Sequence, residues 1–199
     1  MTRGIAGICG DEASKVDITY MLEAMKYRGT CTARYSDRGI ALGNAGDVMQ
    51  TIYPHAEGVL VESPGIQIFW DDARKRMSLR RDVFGPPLYW AMDGSGTYLA
   101  ASDIKAILAP RTINRAINLK AFRVFLNMRY LPGDLTMFAG IHKVRAGCSM
   151  FLGDAGVVLR TPPKYEPKEG QAPDAAIRSI MTSAVRDVVW GHDKVGAYI

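Results

Sequence analysis

The sequence predicts an α+β protein. Three observations lead there: a series of short apolar segments broken by tight-turn sequences, few stretches of helical periodicity, and an abrupt change of composition after Arg160. Many short strands with few helices can bury their apolar faces only by layering sheets and helices on one another.

The elements follow in order. Residues 4–9 are small and apolar throughout, as a strand buried on both faces requires. Residues 14–27 read as a helix, with Ser14 able to cap it and Asp17 in its first turn; Ile18, Met21, Leu22 and Met25 form one apolar stripe. A short strand is expected at 38–42. Strands at 58–61 and 66–70 flank the turn Ser63-Pro64-Gly65. Strands at 77–82 and 97–101 continue the pattern, with a second turn at Asp93-Gly94-Ser95-Gly96. Helices are expected at 104–108 and at 119–127, the latter capped by Asn118. A last hairpin joins 148–152 to 157–159 across Gly153-Asp154-Ala155-Gly156.

Residues 161–173 are rich in proline and charge and read as a linker. A helix then runs from Asp174 to about Val189, with Ile177, Met181, Ala184, Val185 and Val188 on one face and Ile180 beside them. The apolar end at 194–199 is strand-like.

Hydrophobic residues make up 48% and charged residues 23% of 199 positions, an ordinary balance for a globular protein. No apolar run approaches the ~18 residues of a membrane span, and the start carries no secretion pattern. The three cysteines, Cys9, Cys31 and Cys148, are widely spaced, which argues for a reducing, cytoplasmic compartment and against a disulfide framework or zinc site. The net charge of +5 is scattered; its densest cluster, Arg74-Lys75-Arg76 with Arg80 and Arg81, follows Asp71-Asp72 and reads as a solvated hairpin turn. No nucleic-acid or membrane partner is expected.

Several runs carry a resemblance. They are Gly4-Ile5-Ala6-Gly7; Tyr27-Arg28-Gly29; Arg81-Asp82-Val83-Phe84-Gly85-Pro86-Pro87-Leu88-Tyr89; Ala101-Ser102-Asp103-Ile104-Lys105-Ala106; and Thr136-Met137-Phe138-Ala139-Gly140-Ile141-His142-Lys143, with Gly147. In this order they resemble the asparagine synthetase family, whose N-terminal part is a class II, Ntn-type (N-terminal-nucleophile) glutamine amidotransferase domain. The resemblance implies a four-layer α-β-β-α Ntn-type sandwich over residues 1–160 and a linker over 161–173. It makes 174–199 the first helix and strand of a truncated α/β ATP-pyrophosphatase (asparagine-synthase) domain. In the family that strand runs into a Ser-Gly-Gly-x-Asp-Ser loop holding the pyrophosphate of ATP. ATP and Mg are therefore expected for the missing synthetase domain, and no cofactor or metal for this stretch.

The family's catalytic cysteine directly precedes the glycine that matches Gly4, and here Arg3 stands there. A guanidinium stays protonated and only donates, so it can be neither nucleophile nor base. After loss of Met1, Thr2 could act with its own amine as base. It lies one residue early, however, a displacement of roughly 3.5 Å that also reverses the side chain's face within a strand. The family's carboxylate-binding Arg-Leu-Ser-Ile segment is matched by Gly43-Asn44-Ala45-Gly46-Asp47-Val48, without an arginine and with Asp47, and no Asn-Gly-Glu oxyanion turn exists. Arg28 is kept, a candidate substrate-binding residue. Cys31 with His55, His142, His192 and the Asp71-Asp72 pair read as structural or solvated. Arg81 and Asp82 are expected to fix the turn at Phe84-Gly85.

The expectation is a degenerate, glutaminase-inactive amidotransferase-like domain of an ATP-dependent, AMP-forming ligase related to asparagine synthetase, as in β-lactam synthetases, packing on its own synthetase domain. Two alternatives stay open: an active amidotransferase or hydrolase using Thr2, and a stand-alone binding module. The apolar end with open strand edges makes a homodimer possible.

Overall fold

The computed structural model describes residues 4–10, 17–29, 31–37, 39–46, 52–55, 57–161, 173–190 and 196. They fall into two compact units, Met1–Pro162 and Pro163–Ile199.

Among the described residues, the first unit holds two 6-stranded sheets, antiparallel at every pairing. The first contains β1 (Gly4–Cys9), β2 (Cys31–Asp37), β3 (Ile40–Gly46), β8 (Tyr89–Met92), β9 (Tyr98–Ala101) and β10 (Ile141–Lys143), in the order β10-β8-β9-β1-β3-β2. The second contains β4 (Ile52–His55), β5 (Gly58–Ser63), β6 (Ile66–Asp71), β7 (Arg76–Arg81), β11 (Ser149–Gly153) and β12 (Gly156–Arg160), in the order β12-β11-β7-β6-β5-β4.

β1 runs between β9 and β3, and all six of its residues are buried. Its small residues make that placement possible. At Gly7 an added Cβ would lie 2.9 Å from Leu42 Cδ2, 2.9 Å from Met77 Sδ and 3.0 Å from Ile68 Cγ2, so both sheets close on this point. Ile5 and Leu42 of the first sheet share one core cluster with Ile68, Leu79 and Leu152 of the second. Ala6, Ile8 and Leu99, on the first sheet's other face, join a second cluster with Met21, Leu22 and Ile107. Each fully buried Ile or Leu there contributes roughly 1.5–3 kcal/mol, which outweighs any surface ion pair of the fold.

The helices behind that second cluster are α1 (Ile18–Glu23) and α2 (Ile104–Leu108). The expected apolar stripe Ile18, Met21, Leu22 and Met25 is buried. The start differs from expectation. Asp17 is the N-cap itself, its carboxylate accepting the Thr19 N–H at 2.8 Å, and Ser14 lies outside the described residues. A single 3-10 turn at Lys26–Arg28 follows. α3 (Leu119–Met128) is capped by Asn118, which accepts from Ala121 N–H at 3.1 Å. Among the described residues, neither core cluster includes a helix on the outer face of the second sheet.

Four strands go beyond the sequence reading: β2, β4, β8 and β10. β4 and β10 are edge strands, as is β2. β4 carries Pro54, which an edge tolerates because its missing N–H would face no partner. The strand expected at 38–42 is β3, shifted to Ile40–Gly46, with Arg38 outside the described residues.

The basic hairpin between β6 and β7 is solvated as expected. Arg74 and Lys75 are exposed. Asp71 is buried and holds Arg74 at 3.0 Å and Arg76 at 3.7 Å, whereas Asp72 accepts from Trp70 Nε1 at 2.7 Å. Arg81 donates to the carbonyls of Gly85 at 3.1 Å and Val144 at 3.0 Å, so it fixes the turn after β7. His142 is exposed and stacks on Trp90 with ring centroids 4.8 Å apart.

In the second unit the described element is α4 (Pro173–Val189), with Ile177, Ile180, Met181 and Val185 exposed. The strand expected at 194–199 lies outside the described residues, Gly196 apart. Among the described residues no helix is long and apolar enough to cross a membrane.

Candidate active site

The sequence resemblance puts the family's nucleophile position directly before Gly4, at the start of β1. Three segments converge on it. The turn after α1 packs directly against Gly4, where an added Cβ would lie 3.0 Å from Met25 Sδ and 3.3 Å from Arg28 Cδ. Just after β9, Ser102 clamps the neighbouring residue: its hydroxyl accepts the Ile5 N–H at 3.1 Å, and its own N–H donates to the Ile5 carbonyl at 3.0 Å. The Ser102 hydroxyl in turn donates to Met25 Sδ at 3.6 Å.

Asp103 follows as the N-cap of α2, one carboxylate oxygen accepting the Lys105 N–H at 2.9 Å. Its other oxygen accepts the Tyr27 hydroxyl proton and lies 3.8 Å from the Arg28 guanidinium. Arg28 Nε donates to the Tyr27 oxygen at 3.0 Å. The Arg28 guanidinium and the Lys105 ammonium lie 5.2 and 5.4 Å from the Tyr27 ring centroid. The result is a closed relay in which Arg28 donates to Tyr27 and Tyr27 donates to Asp103.

Loss of solvent around it, then the hydrogen bond to Asp103, hold the Tyr27 phenol above its ordinary value, with Arg28 pulling the other way. Tyr27 therefore keeps its proton at neutral pH and serves as donor, not base. The Tyr89 phenol is raised too, by burial first and then by Asp103, with Arg81 and Arg28 opposing. This corner holds two phenols neutral. Among its described side chains it contains no thiol: Cys9 lies at the far end of β1, about 17 Å away at strand rise.

Opposite Ile5 in register stands Asn44 of β3. It is 0% exposed, and neither its amide nitrogen nor its amide oxygen has a hydrogen-bond partner. Such a group costs free energy where it stands, and buried polar atoms in native folds are usually paired.

Of the residues that the sequence singled out, Arg28 is brought to this corner. Thr2, Arg3 and Asp47 lie outside the described residues, as do the side chains of Cys31 and His55, and His192 and Asp193 altogether. Tyr27, Ser102, Asp103 and Asn44 were not read as site residues. Asp103 preceding a short helix is a readable cap signal, but its partnership with Tyr27 spans 76 positions and has no local signature. Among the described residues no three His, Cys, Asp or Glu side chains converge as a metal site would need.

Residues 59–165, just over half of the chain, match the family described as glutamine amidotransferase domain. The chain belongs to that family. No curated protein matches its sequence. Among solved structures, this amidotransferase-family chain is similar to the glutamine phosphoribosylpyrophosphate (PRPP) amidotransferase from B. subtilis, in complex with ADP and GMP. The identity is 14% and the TM-score 0.51, over 79% of this chain and 49% of that one. At that identity the likeness shows the fold, and the chain spans about half the length of that relative. The matched residues run from Val59 onward and do not include β1.

Proposed function

We propose that this chain is an amidotransferase-family domain that does not hydrolyse glutamine. It serves as the packing partner of a synthetase domain in an ATP-dependent, AMP-forming ligase related to asparagine synthetases. The observation that carries the reading is the relay Arg28–Tyr27–Asp103. Hydrolysing glutamine takes a nucleophile with a base, a cation for the substrate's α-carboxylate, and donors for the oxyanion. Arg28 packs against Gly4, but its guanidinium is turned onto Tyr27 and the Asp103 carboxylate. A substrate carboxylate would have to displace an internal one. The sequence supports the same reading with Arg3 in the nucleophile position, Asp47 in place of a carboxylate clamp, and no Asn-Gly-Glu turn.

In this reading residues 1–160 form the amidotransferase-like domain, and 174–199 open the synthetase domain. ATP and Mg belong to that domain, where they would supply adenylation of a carboxylate. The nitrogen source is then free ammonia or a substrate amine.

The test uses the polypeptide encoded by the complete gene, supplied with ATP, Mg, a panel of carboxylic acids and either glutamine or ammonia. The reading expects AMP formation that ammonia or an amine supports and glutamine does not. It is overturned by glutamine-dependent AMP formation, or by a gene without a Ser-Gly-Gly-x-Asp-Ser segment after Ile199.

A further inference from the structure

At the Cys9 end of β1, away from the corner described above, the turns of both sheets ring a cavity of about 420 Å³. Its inner wall is Cys9, Trp70 and Tyr98, which are 2%, 5% and 8% exposed. Met92, half exposed, also lines it. The floor is tight backbone: Gly10 has φ +139, and a Cβ there would lie 3.0 Å from Thr97 Cα.

Two opposite charges stand on the rim. Arg76 of β7 pairs with Gly153 of β11, so Lys75 and Asp154 are the next residues outward, side by side on adjacent hairpin turns. Both line the cavity and both are exposed. They do not form an ion pair with each other: Lys75 Nζ reaches back to Asp72 Oδ1 at 3.8 Å, an exposed contact that yields readily. Lys75 is held in the left-handed backbone region, φ +46, which fixes its departure from the turn. The Asp154 charge reaches inward, adding to the burial that raises both the Cys9 thiol and the Tyr98 phenol.

A neighbouring cation and anion on a rim of glycine backbone and Ser95, with the edges of Trp70 and Tyr98 and the Met92 side chain behind them, match a ligand with both charges at one end and a small apolar body at the other. We propose that this cavity binds a free α-amino acid with an apolar side chain, its ammonium on Asp154, its carboxylate on Lys75 and its side chain against Trp70, Tyr98 and Met92. The site is separate from the Gly4 corner and does not depend on whether that corner is active.

The experiment follows the methionine methyl groups by NMR during titration with L-leucine and L-phenylalanine, and with leucinamide and N-acetyl-leucine, which lack one charge each. The expected result is a saturable shift of the Met92 methyl while Met21 and Met25, at the other end, stay still. The two one-charge analogues, and the exposed variants Asp154→Asn and Lys75→Gln, should each weaken binding by about tenfold or more, as losing a charged contact does. The proposal is overturned if Met92 does not move at about 20 mM amino acid, if a one-charge analogue binds as well as the zwitterion, or if both variants bind unchanged.

Discussion

Ser102 holds Ile5 from both sides, accepting its N–H on the side-chain hydroxyl at 3.1 Å and donating its own N–H to the Ile5 carbonyl at 3.0 Å. Ser102 is 6% exposed and Ile5 is 0% exposed, so no water replaces a lost partner. Replacing Ser102 by alanine leaves the Ile5 N–H unpaired in the interior and costs about 1–3 kcal/mol. The urea midpoint should fall with an unchanged slope. A midpoint equal to wild type would show that the clamp does not hold the start of β1.

Asn44 gives the opposite sign. Both of its amide atoms are buried without partners. Asn44→Leu, alike in branching though larger, and apolar, should stabilise the fold by removing an unpaired amide that costs about 1–3 kcal/mol, less whatever the added volume costs in packing. Loss of stability beyond that packing cost would mean that an ordered water or a bound group pairs that amide, which would reopen the corner beside Gly4 as a binding site.

Arg81 ties two turns together through the Gly85 and Val144 carbonyls. Arg81→Ala should cost about 2 kcal/mol or more, because hydrogen bonds from a charged donor are worth about 1.5–3 kcal/mol each and are not fully additive. Arg81→Lys, with no fork to span both oxygens, should recover part of it. Equal stability of the alanine variant and wild type in chemical denaturation would remove the tie.

Cys9 sets an alkaline limit. Burial, partly offset by the Met77 backbone and reinforced by Asp154, pushes its thiol from 9.0 up to about 12. An unfolded Cys9 ionises about three pH units before the folded one, so this contribution is whole below pH ~9 and declines as pH rises toward ~12. The gap in stability between wild type and Cys9→Ala should therefore narrow between pH 8 and pH 10.5; a constant gap contradicts the assignment. Asp71 acts at the acid end. Burial would raise its carboxyl, but Arg74 and Arg76 more than offset this and hold it below its ordinary value. Its contribution is present above pH ~4 and lost as pH falls through the lowered value.

Much of this fold was legible because its central elements obey strong local rules. β1 shows in six small apolar residues, β5 and β6 in apolar segments around Pro64-Gly65, and α3 in Asn118 followed by ten helical residues. Three of the four edge strands, β2, β4 and β10, and the interior strand β8 were not legible. β2, Cys31–Asp37, mixes polar and apolar residues, since an edge strand need bury little. β8 hides behind Pro86-Pro87, and β10 is three residues long. In the corner, Arg28 could be singled out from Tyr27-Arg28-Gly29. Its partner Asp103 lies 75 positions away, brought there by the pairing of β1 with β9.

The central claim is that this domain does not cleave glutamine, and glutamate release by the purified chain at millimolar glutamine tests it most directly, with Thr2→Ala and an Arg3→Cys variant that also lacks Thr2, so that cysteine becomes residue one, beside it. The account predicts no glutamate above the protein-free control for all three, because the missing sulfur is only one of three absent parts. Steady glutamate release by the unaltered chain, abolished by Thr2→Ala, would contradict it.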